Sequence, residues 1–128
     1  MNSLEGRTYD PVKVVIDAES VAAFATAVGA DPRLGVPPTY AAVYALATTV
    51  PQLFSDQLAA LNLARLVHGE QEFEWIRHPK VGEEITAQAK VVGDSERGSM
   101  RFVTLETVCT DQDGLAICRS RMLSIIRS

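Results

Sequence analysis

Proton chemistry has few places to reside in a chain of 128 residues with two histidines. His68 stands two residues before Glu70, and in an extended strand residues at that spacing share a face. A carboxylate so placed raises the basicity of an imidazole, which suits acid/base work near neutral pH. The same pair also fits the polar face of a strand or a polar contact at an interface, since Glu72 and Glu74 continue the row. Asp31, directly before Pro32, is either a displaced catalytic carboxylate or a turn-capping Asp before proline. Tyr40 and Tyr44 lie one helical turn apart; they either line a tunnel or sit in the core with satisfied hydroxyls. His78, before Pro79, reads as a loop residue. Cys109 and Cys118 lack metal-ligand spacing and have no Cys or His nearby. They read as free buried thiols of a reducing compartment, and no metal site is expected.

The element that must position these groups is residues 36–50, a stretch without charge made almost wholly of small or apolar side chains. Pro37 and Pro38 suit a first helical turn, where the missing N–H has no intrahelical partner. Ala41, Ala42, Ala45 and Ala47 favour helix, and Pro51 marks the far end. A helix apolar on nearly all sides must be covered on nearly all sides, and about four turns are too few to span a bilayer. The strand-like second half of the chain is the candidate cover.

Around this helix the periodicities are plain. Residues 1–7 are polar and read as loose. Val12, Val14 and Ile16 form a short strand. Asp17 caps a helix over 20–28 whose apolar stripe is Val21, Phe24, Ala25 and Val28, ended by Gly29. Leu53 to Leu63 fits neither period. From Leu66 to Trp75 alternation sets Val67, Gly69, Gln71, Phe73 and Trp75 on one face, with Phe73 and Trp75 as core, and His68, Glu70, Glu72 and Glu74 on the other. Gly82 opens a strand with Ile85, Ala87, Ala89 and Val91 inward. A turn at 111–114 pairs the last two strands, setting Cys109 against Ala116, Val103 near Met122, and Glu106 opposite Arg119. The loop 94–97 requires an extra residue or a bulge to keep Ala87 and Ala89 on the same face as Val103 and Leu105.

The length fits one domain over residues 1–128. A formal net charge of −4 without a basic cluster argues against nucleic-acid and anionic-membrane surfaces. No apolar run reaches transmembrane length and no signal-peptide pattern opens the chain, so a cytoplasmic protein is expected. The order of elements gives an α+β fold, a single hot-dog: a bent antiparallel five-stranded sheet wrapped around a long apolar central helix.

Taken together, residues 24–29, Asp31-Pro32, Val36 to Tyr40, Val67 to Phe73, Pro79 and Gly82-Glu83 resemble the MaoC-like dehydratases. The similarity is greatest to the non-catalytic subunits of mycobacterial (3R)-hydroxyacyl-ACP dehydratases. That resemblance implies hydration of trans-2-enoyl thioesters of CoA or acyl carrier protein, or the reverse, with no cofactor beyond the carrier. The catalytic type has an Asp, then Asn-Pro, then a His two residues past the Pro. Here the loop reads Gly29-Ala30-Asp31-Pro32-Arg33-Leu34, with Leu34 in the histidine's place, and leucine transfers no proton. The family's oxyanion donor lies at the central helix start, where the two prolines lack N–H groups and Thr39 and Tyr40 keep theirs.

The expectation is therefore a non-catalytic subunit that shapes an acyl cavity with Tyr40, Tyr44 and Thr39, in a heterodimer or heterotetramer with a catalytic MaoC-like subunit. Two alternatives stand beside it. One is a self-sufficient homodimeric hydratase or thioesterase using His68, Glu70 or Asp31. The other is an acyl-thioester binding module without turnover.

Overall fold

Strand alternation in the second half of the chain produces one antiparallel sheet, which the computed structural model describes within residues 3–127. The strands are β1 (Val12–Val15), β2 (Leu66–Trp75), β3 (Glu84–Arg97), β4 (Met100–Thr110) and β5 (Ala116–Arg127). Their order across the sheet is β1-β3-β4-β5-β2, so β1 and β2 are the edges. Along β4 every second residue is buried: Val103, Leu105, Thr107 and Cys109. This is the pattern of a sheet with one face on the core. The fold is α+β, with helices on that inner face.

Helix α1 (Ala18–Val28) begins where its cap dictates: the Asp17 carboxylate accepts from the Ser20 N–H at 2.8 Å. Gly29 closes it in the left-handed region. Val21 and Ala25 face the core, whereas Val28, expected in the same stripe, lies exposed at the helix end.

The uncharged stretch is not one regular helix. Pro38–Tyr40 form a 3-10 turn, Ala42–Leu46 a π-helical turn, and α2 (Val50–Phe54) a short α-helix. Pro51, expected as a terminator, occupies the first turn of α2 instead, where a missing N–H costs nothing. Nor is the stretch covered all round. Tyr40, Ala41, Tyr44, Ala45 and Thr49 are buried, but Ala42, Ala47 and Pro51 are exposed.

Three register details differ from the sequence reading. Cys109 pairs with Cys118, Val103 with Ser124 and Glu106 with Arg121, two residues away from the expected partners. The reason is local. The Asp111 carboxylate accepts from the N–H groups of Asp113 and Leu115, which lengthens the turn, and the ladder shifts again beside Ile117. A shift of two preserves the faces, so the inner residues remain inner. Between β3 and β4, residues 94–97 are strand and not loop, and the required bulge falls between Val91 and Gly93. The third detail concerns Gly69 and is taken up below.

Residues Met1 and Asn2 lie outside the described residues. The rest of the N-terminal segment is tied down rather than loose: Leu4 N–H donates to Asp94 at 2.8 Å, Gly6 N–H to the Val91 carbonyl at 2.8 Å, and Arg7 pairs with Asp56.

Candidate functional site

A cavity of about 500 Å³ lies between the uncovered side of the helical segment and the inner face of the sheet. Ala42, Leu46, Ala47, Val50, Pro51 and Phe54 form one wall; Leu66, His68, Met122 and Ser124 form the other. The helical residues recur at intervals of four with immediate neighbours, a single stripe. Where that stripe carries alanine it leaves room. Concavities of this size, mostly apolar with a few polar groups, are the usual form of small-molecule sites.

His68 reaches this cavity because β2 is bulged. The pairing with β5 runs Val67 to Ile125 and His68 to Ser124, then resumes with Glu70 opposite Leu123, leaving Gly69 extra. A Cβ on Gly69 would stand 2.6 Å from Ile125 Cδ1, so glycine accommodates the bulge. The consequence is a change of face. His68 lines the inner cavity with Met122 and Ser124, whereas Glu70 joins Glu72, Thr104, Arg121 and Leu123 on the outside. The expected His68–Glu70 pair is thereby separated. Gln71 also turns inward, its Nε2 donating to Ser120 Oγ at 2.8 Å. Phe73 is half-buried, and Trp75, expected in the core, remains 40% exposed while stacked on Phe73 at 5.5 Å.

Asp31 is engaged elsewhere. Its carboxylate accepts from the Arg33 guanidinium and from the Arg33 N–H at 2.9 Å. The Arg33 side chain, followed by that N–H, holds its pKa below the usual carboxylate value. This is the turn-capping role, and a carboxylate so held is a poor base. Leu34, three residues on, is 85% exposed.

Tyr40 and Tyr44 pack in the core and do not line the cavity. Phe24 meets Tyr40 edge to face at 5.3 Å, and the two tyrosine rings lie 6.3 Å apart. Burial pushes the Tyr44 phenol pKa well up. Its hydroxyl sits near the Cys118 thiol without a well-formed hydrogen bond. The Tyr40 N–H is spent on the Pro37 carbonyl at 2.9 Å, and Thr39 is exposed on the first turn, outside the cavity. Both cysteines are free and buried, and burial raises the Cys109 thiol to about 12. The longer turn hid their pairing; the observed register sets them directly opposite each other. Among the described residues no group of three His, Cys, Asp or Glu side chains could hold a metal, and no helix is long and apolar enough to cross a membrane.

Residues 30–120 match the family described as FAS1-like, dehydratase domain region. The chain belongs to that family. This FAS1-like dehydratase domain is 32% identical to a UPF0336 protein of Cutibacterium acnes over 120 residues, which are 85% of this chain and 81% of that one. In fold it is similar to the HadBC (3R-hydroxyacyl-ACP dehydratase) complex of Mycobacterium tuberculosis, with a TM-score of 0.78 at 18% identity. That match covers 97% of this chain and 98% of the other. It is also similar to the (R)-hydratase of A. caviae involved in PHA biosynthesis, at TM-score 0.66 and 23% identity, with 94% of each chain covered. The hot-dog fold of the MaoC-like dehydratases is thus the fold of this FAS1-like dehydratase domain.

Proposed function

We propose that this chain is the non-catalytic, cavity-forming subunit of a heteromeric (R)-specific enoyl-thioester hydratase or 3-hydroxyacyl-thioester dehydratase, with the acyl group carried on CoA or acyl carrier protein. The observation that carries this reading is the dispersal of its acid/base groups around an otherwise well-made apolar cavity. His68 and Glu70 face opposite sides of β2, and Asp31 is locked to Arg33. Hydration needs a base on water and a proton returned to carbon, both within reach of one bound acyl group. A catalytic MaoC-like subunit would bring that Asp and His. The acyl chain would lie along Ala42, Leu46, Ala47 and Val50, in place of the tyrosine-lined tunnel expected from the sequence. Edge strand β2 supports a partner: its ten residues run without proline, with Val67 59% exposed, and an uncovered edge of that kind invites pairing.

One observation favours a second reading. His68 does line the cavity, so a homodimer using it as sole base is the competing hydratase or thioesterase. Turnover of crotonyl-CoA separates the two. The purified chain alone is expected to be inactive, and co-expression with a catalytic MaoC-like subunit to yield an active complex whose long-chain activity falls at least tenfold on Ala47→Trp. Turnover by the lone chain that disappears on His68→Ala would establish the homodimer instead. A complex neither formed nor active would leave a binding module.

A further inference from the structure

Resting on the acyl-cavity reading above, we propose that Ser124 and His68 form a polar station in that cavity, which selects an acyl chain carrying a hydrogen-bonding oxygen, hydroxyl or carbonyl. The inner face of β4 and β5 holds three fully buried hydroxyls: Thr107, Ser120 and Ser124. Two are satisfied within the protein. Thr107 Oγ1 lies 3.1 Å from Thr49 Oγ1, which itself bonds the Ala45 carbonyl at 2.6 Å, and Ser120 Oγ accepts from Gln71 at 2.8 Å. Ser124 Oγ, 0% exposed, has no partner.

A buried hydroxyl without a partner is costly, and alanine or valine would fit a strand core without that cost. Of the three, only Ser124 lines the cavity. Its cross-strand neighbour there is His68, exposed and lining the same wall. The facing helical wall, Ala42 to Phe54, offers only apolar side chains, and Leu66 and Met122 flank the pair. The site is therefore apolar along its length and polar at one point.

The donors and acceptors define the ligand. A serine hydroxyl both gives and takes a hydrogen bond, and a neutral imidazole does the same through its two nitrogens. No carboxylate lines the cavity to hold a cation. A neutral oxygen on an aliphatic chain matches both requirements: the chain covers the apolar walls and the oxygen completes Ser124. Ser124 and His68 thus act as specificity residues, binding without taking part in bond making.

Isothermal titration of the full chain with two probes tests this: the dodecanoyl and 3-hydroxydodecanoyl thioesters of N-acetylcysteamine. Ser124→Ala is expected to weaken the hydroxylated one fivefold or more. Loss for the hydroxylated probe alone identifies the chain oxygen as the group selected, whereas equal loss for both, which share one thioester carbonyl, overturns the selection. His68→Leu should reproduce the loss, and His68→Gln, which keeps a donor and an acceptor, should restore most of it. Ser124→Ala is also expected to raise the unliganded denaturation midpoint, since it removes an unpaired buried group. A raised midpoint with unchanged affinity for both probes overturns the proposal and leaves the acyl-cavity reading intact. Failure of wild type to bind either probe overturns both. If Ala47→Trp abolishes self-association without changing probe affinity, the groove is a seat for a second copy, and the proposal falls.

Discussion

The two halves of the helical segment between Pro38 and Phe54 are alike in carrying no charge and unlike in surroundings. In the first, Tyr40, Ala41, Tyr44 and Ala45 are sealed by Ile16, Val21, Ile85, Ala87 and Ile117, with Phe24 completing the aromatic contact. In the second, Leu53 reaches a separate cluster with Ala89, Val91, Val103, Leu105 and Met122, while Ala47 and Pro51 face outward over the cavity. The first half fills its space with two phenol rings. The second has no aromatic ring before Phe54 and sets Ala47, beside Ala42 of the first, where such bulk would have gone, and room for a guest results. Absence of charge therefore marks a segment that leaves water, without saying whether protein or ligand replaces it.

The contrast is broken most severely by emptying the sealed half. Tyr44→Ala should cost about 3–5 kcal/mol in urea unfolding, the range for removing a buried aromatic ring. Leu46→Ala, at the cavity wall, should cost under about 2 kcal/mol because that side chain is only partly enclosed; equal losses would abolish the distinction. Next comes the bulge. Gly69→Val drives a branched side chain into Ile125 and should destabilise by about 1–3 kcal/mol, with a displaced His68 resonance in NMR as the accompanying sign.

The open half also leans on an ion pair at its back. Asp56 accepts from Arg7 and from the Tyr9 hydroxyl at 2.7 Å, and Tyr9 packs on the second cluster. The Arg7 guanidinium chiefly, with help from Tyr9, holds the Asp56 pKa at about 2 against an ordinary 3.8. A depressed carboxylate contributes fully above its unfolded value and loses that contribution as pH falls through the folded one. The urea midpoint should thus decline between about pH 4 and pH 2, and Asp56→Asn should flatten that part of the profile. The smallest effect belongs to the outer face, where Glu106→Gln, releasing Arg121 from a 2.9 Å contact, should cost only about 0.2–1 kcal/mol in the same assay.

Much of the framework is legible in the residues themselves. Alternation located the strands, Asp17 and Gly29 bounded α1, and the need for a bulge between β3 and β4 followed from keeping small side chains on one face. What escaped was set by backbone detail. The Asx contacts of Asp111 changed a turn length and moved a register by two. Gly69 carried the one hint of the β2 bulge, and without that bulge a strict period of two joins His68 to Glu70. The cavity was hidden for another reason: alanine and leucine at helical spacing are written identically whether they meet a core or a ligand, and only the packing of β2 and β5 decides.

The π-helical turn at Ala42–Leu46 has a consequence for how this chain tolerates change. A wide turn holds about one residue more than an ordinary helical one, and each residue of an α-helix advances the azimuth by about 100°. Deleting a single alanine there would tighten the wide turn to an ordinary one and leave Val50 and Phe54 on the groove side, whereas the same deletion in a regular helical turn would rotate everything beyond it by about 100°. The slack for one lost residue is thus stored beneath the groove itself.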